Sequence, residues 1–251
     1  MFTRLPILVS RARSARSLRT ALAAISVVAV TCAACSTPSR SPASGVRGGQ
    51  LVWGDPAEPD TLDPTIAGNA LNWELLNLAY ERLVTLDAKL NIVPQLAESW
   101  KQTSPTTYEF TLRKGVKFST GRELTADDVV ETLNRLMDPK VAPWSAQLGM
   151  RNVVSRGPGQ VTVTLTSPRT SFLAALAASY ASILPMKEVA AGTFNPKKEL
   201  LGTGPFKVAA HSPSESWTFE RNPYYWRSGL PKVDKLIVRI MPDDAARTQC
   251  P

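Results

Sequence analysis

Hydrophobic and polar residues alternate in several short stretches along the chain. Residues 107–112 and 161–165 carry an apolar side chain at every second position, which is typical of strands with one buried face. Residues 50–54, 217–220 and 235–240 have a similar pattern and are bounded by turn-forming residues. These five stretches predict a fold that contains short β-strands.

Other stretches have apolar residues at helical spacing. Residues 70–83 place leucines three and four positions apart, which predicts an amphipathic helix that ends near Arg82. Residues 126–137 predict a second helix, with Thr125 as its N-cap. Residues 172–178 predict a third helix. Helices combined with several short strands predict the α+β or mixed α/β fold class.

Residues 112–130, LRKGVKFSTGRELTADDVV, are polar and contain several turn residues. We predict a short partner strand at residues 116–118, between turns at Gly115 and Gly121. Asp128 stands three residues after the predicted N-cap, where a carboxylate favours the start of a helix. Upstream, residues 94–100 predict a short helical turn with a proline at its first position.

The N-terminus is basic and then apolar, with an apolar run over residues 21–30 that follows arginines at positions 4, 11, 13, 16 and 19. This order is typical of a secretory signal peptide, and the run is too short to span a bilayer comfortably. Ala33-Ala34-Cys35 resembles a lipobox, although Cys32 stands where such motifs usually carry leucine. We predict a signal peptide over residues 1–34 and a lipid attachment site at Cys35. A plain signal peptide with two incidental cysteines is the alternative.

Residues 35–48 are rich in serine, proline and glycine, which predicts a tether between the lipid anchor and the folded part. Acyl chains on Cys35 would anchor the protein to a bilayer rather than span it. Cys32 would leave with the signal peptide, and Cys250 would then have no partner. The cysteines therefore predict no disulfide framework.

The net charge of +8 over 251 residues does not indicate a nucleic-acid partner. Five of these charges belong to the arginines of the predicted signal peptide, which leaves about +3 for the rest of the chain. The hydrophobic fraction of 43% and the charged fraction of 20% are ordinary for a folded protein. We expect no nucleic acid among the partners.

Few residues suggest catalysis. His211 is the single histidine and stands beside Ser212 in a polar stretch, which predicts a solvated loop residue. Residues 202–204, Gly-Thr-Gly, lack the further residues of a phosphate-binding loop and predict a tight turn that enters a strand. No cluster has metal-ligand spacing and no stretch resembles a nucleophile elbow, although a triad assembled in space stays open. We predict no catalytic residue, no metal and no cofactor, and by elimination a binding module.

Five blocks of sequence occur in one order: GGQLVWGDPAEPDTLDP, YERLVTLDAKLNIVPQLAESW, TYEFTLRKGVKFSTGRELTADDVV, GTGPFKV and FERNPYYWRSGLPKVDKLIVRIMPD. Together they resemble the extracytoplasmic solute-binding proteins of ABC importers, in the peptide-binding family 5 that includes dipeptide, oligopeptide and nickel binders. The resemblance implies a periplasmic-binding-protein-like (venus-flytrap) fold. In this fold two lobes close over a ligand, and in this family a third, extra domain is present.

The resemblance also implies a domain map. Residues 49–83 would form the N-terminal part of the first lobe, residues 84–200 the extra domain, and residues 201–251 the return to the first lobe. By this map residues 112–130 lie in the extra domain, away from the ligand. We therefore predict that they are scaffold.

The function implied by the resemblance is capture of a peptide outside the cytoplasm and its delivery to an ABC permease and ATPase complex in the membrane, without catalysis. The protein would be exported, and either lipid-anchored on the outer face of the cytoplasmic membrane through acylated Cys35 or periplasmic. We expect Trp53, Gly54 and Asp55 to contact the ligand, with a buried core position as the alternative for Trp53. A non-peptide solute such as a metal chelate is the alternative ligand, and an exported hydrolase is the alternative class.

The C-terminal sequence departs from the family pattern. IMPDDAARTQ, which is expected to open a helix that leads into the second lobe, is followed by Cys250 and Pro251. Members of the family are roughly twice as long, so we expect a truncated chain that lacks the second lobe and binds ligand poorly. A naturally short homologue is the alternative.

Overall fold

The computed structural model describes residues 48–248. Ten strands lie in this range: β1 (Gln50–Asp55), β2 (Val84–Leu86), β3 (Ile92–Pro94), β4 (Ala97–Ser104), β5 (Thr107–Leu112), β6 (Met150–Ser155), β7 (Gln160–Leu165), β8 (Phe206–Ser212), β9 (Ser216–Arg221) and β10 (Lys235–Ile240). Six α-helices lie in the same range: α1 (Ala70–Ala79), α2 (Ala126–Met137), α3 (Ser145–Leu148), α4 (Phe172–Leu176), α5 (Met186–Ala190) and α6 (Asp244–Thr248). A short 3-10 helix covers Ser179–Ala181. The predicted signal peptide, Cys35 and residues 35–47 of the tether lie outside the described residues.

One sheet contains four strands in the order β1-β10-β9-β8. β1 and β10 are parallel and end together, with Asp55 opposite Ile240, whereas the other two pairs are antiparallel. Helix α1 packs against this sheet through Leu75, which contacts a core that includes Phe219 and Val238. Apolar side chains on one sheet face and one helix stripe remove each other from water, which stabilises this layer.

The second four-stranded sheet is antiparallel throughout, in the order β4-β5-β7-β6. Tyr108, Phe110 and Leu112 of β5 are buried because alternate residues of a strand point to the same face. Helix α2 packs across β6 and β7, with Val129 and Leu133 fully buried. This region contains the largest cluster of buried apolar residues in the described range.

The hairpin β2–β3 links the end of α1 to β4. Within residues 48–248, the helices are all too short or too polar to cross a bilayer.

The five strands predicted from alternation are confirmed as β1, β5, β7, β9 and β10. Helix α2 has the predicted bounds, and Thr125 is its N-cap. The hydroxyl of Thr125 accepts a hydrogen bond from the N–H of Asp128, and the Asp128 carboxylate accepts one from the N–H of Thr125 at 3.0 Å. An aspartate thus completes a reciprocal capping box in which glutamate is more usual.

Asp128 is more than a first-turn charge. Both of its oxygens accept hydrogen bonds at 2.8 Å from the guanidinium of Arg122, which also binds Glu188. Burial favours the neutral acid, but the hydrogen bonds from Arg122 and Thr125 outweigh burial and lower the pKa of Asp128. The polar stretch at residues 112–130 therefore contains a buried ion pair that fixes the start of α2.

Two local predictions are wrong. The predicted helical turn at residues 94–100 is the end of β3 and the start of β4, because β5 pairs with this segment: Ala97 lies opposite Leu112, and the N–H of Arg113 donates to the carbonyl of Leu96 at 2.8 Å. The predicted strand at residues 116–118 forms only an isolated bridge between Lys117 and Glu123. At residues 94–100, pairing with β5 overrides the local helical preference.

Helix α1 ends at Ala79, before the predicted end at Arg82, because another segment binds its last turn. The N–H of Gly204 donates to the carbonyl of Ala79 at 2.8 Å. A Cβ atom on Gly202 would lie 2.1 Å from the same carbonyl oxygen, so only glycine fits there. The predicted tight turn at residues 202–204 is confirmed, and it packs directly on the helix end.

Candidate functional site

Trp53, Gly54 and Asp55, the residues expected to contact ligand, are the last three residues of β1. β1 and β10 end side by side, and the N–H of Met241 donates to the carbonyl of Asp55 at 2.7 Å. In open α/β sheets, ligands bind beyond the carboxyl ends of parallel strands, where the following loops converge. The structure places the three residues at such an edge.

The carboxyl group of Asp55 is the polar group at this edge that most lacks a partner. The residue is 3% exposed, and its Oδ1 atom has no hydrogen-bond partner among the described residues. Burial and the negative charge of Glu74 raise the pKa of Asp55, against the opposing effects of the Ala57 N–H and the Arg247 charge. A buried acceptor without a donor is unfavourable, so Asp55 can accept a hydrogen bond from a bound molecule.

Trp53 and Gly54 contribute to the shape of this edge of the sheet. Trp53 is half-buried, packs against the core beneath α1, and lines an apolar cavity of about 360 Å³ together with Leu51. Gly54 leaves room for the segment after β10, because a Cβ atom there would lie 3.0 Å from the Met241 sulfur and 3.2 Å from Cγ of Arg247. A larger residue at position 54 would require the side chains of Met241 and Arg247 to shift by a few tenths of an ångström.

Glu58 lies in the loop after β1 and binds the β8–β9 hairpin at the other edge of the same sheet. Its carboxylate accepts hydrogen bonds from the indole N–H of Trp217 at 3.0 Å and from the N–H of Ser214 at 2.9 Å, and it lies 3.1 Å from Nε2 of His211. Burial favours the neutral acid, but these hydrogen bonds outweigh burial and lower the pKa of Glu58. Glu58 therefore fastens the loop after β1 to β8 and β9.

His211 is exposed, as predicted, but the prediction that it lies in a loop is wrong. His211 lies in β8, which pairs with β9 as far as Ser212 and Ser216. Its ring stacks on Trp217, with ring centroids 3.6 Å apart and an interplanar angle of 14°. His211 therefore has a packing and hydrogen-bonding role in the sheet.

Sequence reasoning missed a buried glutamate, Glu81, which is 1% exposed. Its carboxylate accepts four hydrogen bonds: from Trp226 Nε1–H at 2.7 Å, from the hydroxyl of Thr203 at 3.0 Å, and from the side-chain amide of Gln95 and the hydroxyl of Tyr225 at 3.3 Å each. The donors come from segments far apart in the sequence. The sequence offered one clue to this site, which is a charged residue, Glu81, directly after an apolar helix.

Trp226 also contacts two cations. The guanidinium carbons of Arg113 and Arg227 lie 4.3 Å and 4.7 Å from its ring centroid, within the range of cation–π attraction. Arg113 follows β5 of the second sheet, whereas Trp226 lies in the loop between β9 and β10 of the first. The contact therefore joins the two sheets.

No group of three or more His, Cys, Asp and Glu side chains in residues 48–248 is arranged to hold a metal ion.

Comparison with known proteins identifies the family. Residues 91–249 match the family model of bacterial extracellular solute-binding proteins, family 5 Middle. The dipeptide-binding protein DppE of Bacillus subtilis (strain 168) is 30% identical to this chain over 209 residues, which are 74% of this chain and 38% of DppE.

Solved structures show the same fold. AgaA from A.tumefacien R10, a periplasmic binding protein in complex with agropinic acid, superposes with a TM-score of 0.76 and 28% identity, over 80% of this chain and 41% of AgaA. OppA of Haemophilus influenzae, in complex with the peptide RPPGFSPFR, superposes with a TM-score of 0.73 and 27% identity, over 80% of this chain and 44% of OppA.

The chain spans about two fifths of the length of these relatives. The described residues have the mixed α/β architecture of the periplasmic-binding-protein fold, as expected. The resemblance inferred from the five sequence blocks is confirmed, and the chain belongs to the bacterial extracellular solute-binding proteins of family 5.

Proposed function

We propose that this chain takes part in the capture of peptides outside the cytoplasm and in their delivery to an ABC-type permease and its ATPase, without catalysis. The proposal is supported by its relatives: DppE is a dipeptide-binding protein, and OppA was solved with a bound peptide. Binding followed by release needs no nucleophile or general base, only a ligand that favours the closed state of the protein.

The observation that carries the proposal is the geometry of β1. β1 is an edge strand of its sheet within the described residues, and it ends at a buried carboxyl group with an unpartnered oxygen. An extended peptide can pair with the main chain of an edge strand. The ammonium group of such a peptide, or another hydrogen-bond donor of the ligand, can reach the carboxyl group of Asp55. We therefore retain Trp53, Gly54 and Asp55 as the proposed ligand-binding residues.

The proposed domain map follows the two sheets. Residues 49–83 and 201–251 would form the first lobe, because β1 pairs with β10 and α1 packs on their sheet. Residues 84–200 would form the extra domain around the second sheet. Lobe closure over a ligand would then involve the carboxyl end of β1.

Cys35 is the proposed lipid attachment site, which would hold the protein at the outer face of the cytoplasmic membrane. The support is the sequence Ala33-Ala34-Cys35 after a basic and apolar leader. Metabolic labelling with a radioactive fatty acid tests this site. We expect label on the wild-type chain and none on Cys35→Ser, and equal labelling of the two would contradict it.

A non-peptide solute is the second candidate ligand, because AgaA was solved with agropinic acid. Native mass spectrometry of the full chain, mixed with equal amounts of di- to pentapeptides and agropinic acid, separates the two. We expect retained peptides, and retention of agropinic acid alone would overturn the peptide proposal.

A variant sharpens this experiment. Asp55→Asn removes the proposed acceptor charge and changes little volume. We expect roughly tenfold weaker retention of peptides with a free amino group and unchanged retention of N-acetylated peptides. Equal weakening of both classes would show that Asp55 does not bind the peptide amino group.

A further inference from the structure

The buried carboxylate of Glu81 lies where three segments of the chain meet. Gln95 precedes β4 of the second sheet, Thr203 precedes β8, and Tyr225 and Trp226 belong to the loop between β9 and β10. The main-chain carbonyl of Glu81 also accepts a hydrogen bond from the N–H of residue 183 at 2.9 Å. One residue thus holds segments of both sheets.

Among the described residues, no charged side chain forms an ion pair with this carboxylate. All four of its hydrogen-bond donors are neutral groups. The positive charge of Arg227 attracts the Glu81 carboxylate without contacting it. The guanidinium groups of Arg227 and Arg113 both stack on the Trp226 ring. The neighbouring Arg82 directs its guanidinium to Asn77, Ser179 and Thr85 instead.

We propose that Glu81 is a pH-sensitive latch that fastens the loop of residues 222–234 to the second sheet, tight when its carboxyl group is protonated and looser when it is ionised. In the closed loop the ionised carboxylate has only neutral donors and little water. Opening of the loop hydrates the charge. The protonated acid has no such preference for water, and the hydroxyl oxygen of Thr203 or Tyr225 can accept a hydrogen bond from its O–H.

The direction follows from linkage. Burial raises the pKa of Glu81, and the hydrogen bonds from Trp226, Thr203 and Tyr225 together with the charge of Arg227 only partly oppose this. A group whose pKa is raised in the closed state binds its proton more tightly there than when it is open to water. The latch is therefore fully tight below the ordinary glutamate pKa and loosens as the pH rises through the raised value.

A second indole–carboxylate pair in the same chain provides the internal control. Trp217 donates its Nε1–H to Glu58, whose pKa is lowered instead of raised. In a nuclear magnetic resonance titration of the 15N-labelled full chain from pH 3 to pH 8, the indole N–H signals follow the two carboxylates, and the same titration of His211→Phe removes the contribution of the imidazole that stacks on Trp217. We expect the Trp226 signal to titrate with a midpoint above that of Trp217. Coincident midpoints, or a Trp226 signal constant over the whole range, would overturn the proposal.

The variant Glu81→Gln removes the titration and keeps the size of the side chain. We expect the Trp226 signal to become independent of pH, with the Trp217 titration unchanged. Hydrogen exchange of the amides in residues 222–234, corrected for intrinsic rates, tests the latch itself. In the wild type we expect protection to fall by up to about tenfold per pH unit between the ordinary glutamate pKa and the Trp226 midpoint, and in Glu81→Gln to stay constant. Equal pH dependence in both proteins would contradict a latch at Glu81.

If Glu81→Gln fails to fold, Tyr225→Phe replaces it. This variant removes one donor to the carboxylate and leaves the carboxylate in place. We expect its Trp226 midpoint to move to higher pH, because the ionised form loses a hydrogen bond. A midpoint unchanged from that of the wild type would show that the Trp226 signal does not report Glu81.

Discussion

Two indole–carboxylate hydrogen bonds in this protein have similar lengths and opposite electrostatics. Trp217 binds Glu58 at 3.0 Å, and Trp226 binds Glu81 at 2.7 Å. The side chain of Glu58 is 28% exposed and its pKa is lowered, whereas Glu81 is 1% exposed and its pKa is raised. The donor is an indole N–H in both pairs, so the donor alone does not determine whether the glutamate is charged.

A third carboxylate separates the effect of burial from that of the partner. Asp128 is 2% exposed, almost as buried as Glu81, yet its pKa is lowered. The difference lies in the donor, because Asp128 has the bidentate guanidinium of Arg122 and Glu81 has only neutral groups. For a carboxylate with little solvent exposure, a full positive charge in contact can outweigh burial and lower the pKa.

The two glutamates are expected to differ most in how much the free energy of unfolding falls when each is replaced by leucine. Glu81→Leu leaves four donors without an acceptor, two of them on the buried residues Gln95 and Thr203, so we expect a loss of about 3–5 kcal/mol in the free energy of unfolding. Glu58→Leu, at the half-exposed pair, should lose only about 1 kcal/mol. Urea unfolding at pH 7, followed by circular dichroism, measures both. Equal losses would show that burial does not distinguish the two pairs.

Asp128→Asn tests whether the ion pair with Arg122 stabilises the fold. At pH 7 we expect a loss of about 2 kcal/mol, because the guanidinium keeps a neutral partner in place of a charged one. A lowered pKa gives stability that is present above the ordinary aspartate pKa and is lost as the pH falls through the lowered value. The difference between variant and wild type, measured by urea unfolding from pH 7 down to pH 2, should therefore shrink in acid. A difference independent of pH would contradict this assignment.

Replacing each indole by phenylalanine compares the donors directly. Trp226→Phe removes the shortest hydrogen bond of the buried Glu81 and part of the contact with Arg113, so we expect a loss of about 2 kcal/mol. Trp217→Phe should lose about 1 kcal/mol, since water can reach Glu58 in its place. Thermal unfolding of the two variants under identical conditions ranks them. The reverse order would show that the packing of Trp217 outweighs its hydrogen bond.

The smallest effect is expected for His211→Ala. His211 stacks on Trp217 and contacts Glu58, but its side chain is 32% exposed. We expect a loss of about 0.5–1 kcal/mol in the free energy of unfolding at pH 7. His211→Phe is the matched control, because it keeps the stack and removes the hydrogen bond. A control as unstable as the alanine variant would assign the effect to the hydrogen bond alone.

The sequence predicted those elements whose signal is local. The alternation in β5 and β7, and the Thr125 cap of α2, each lie within a dozen residues and were found. The segment at 94–100 was misassigned, because its strand is defined by pairing with β5 and not by its own residues.

The sites were less predictable than the fold. Asp55 was expected to contact the ligand, but its pKa depends on burial in the folded chain and on the charges of Glu74 and Arg247, which are distant in the sequence. Glu81 could not be found, because its donors Thr203 and Trp226 are brought to it only by the folded sheet. Whether Trp53, Gly54 and Asp55 contact a ligand stays a prediction.

The parallel pairing of β1 with β10 has a consequence for the time course of synthesis. Gly49 and Asp234, at the start of the two strands, are 185 residues apart. At translation rates of 5–20 residues per second, β1 waits about 10–40 seconds for its partner to leave the ribosome. The β4–β5 hairpin needs no such wait. Between the synthesis of β1 and that of β10, a nascent chain of this protein therefore has one apolar strand without its partner, which makes β1 the expected binding segment for a holding chaperone.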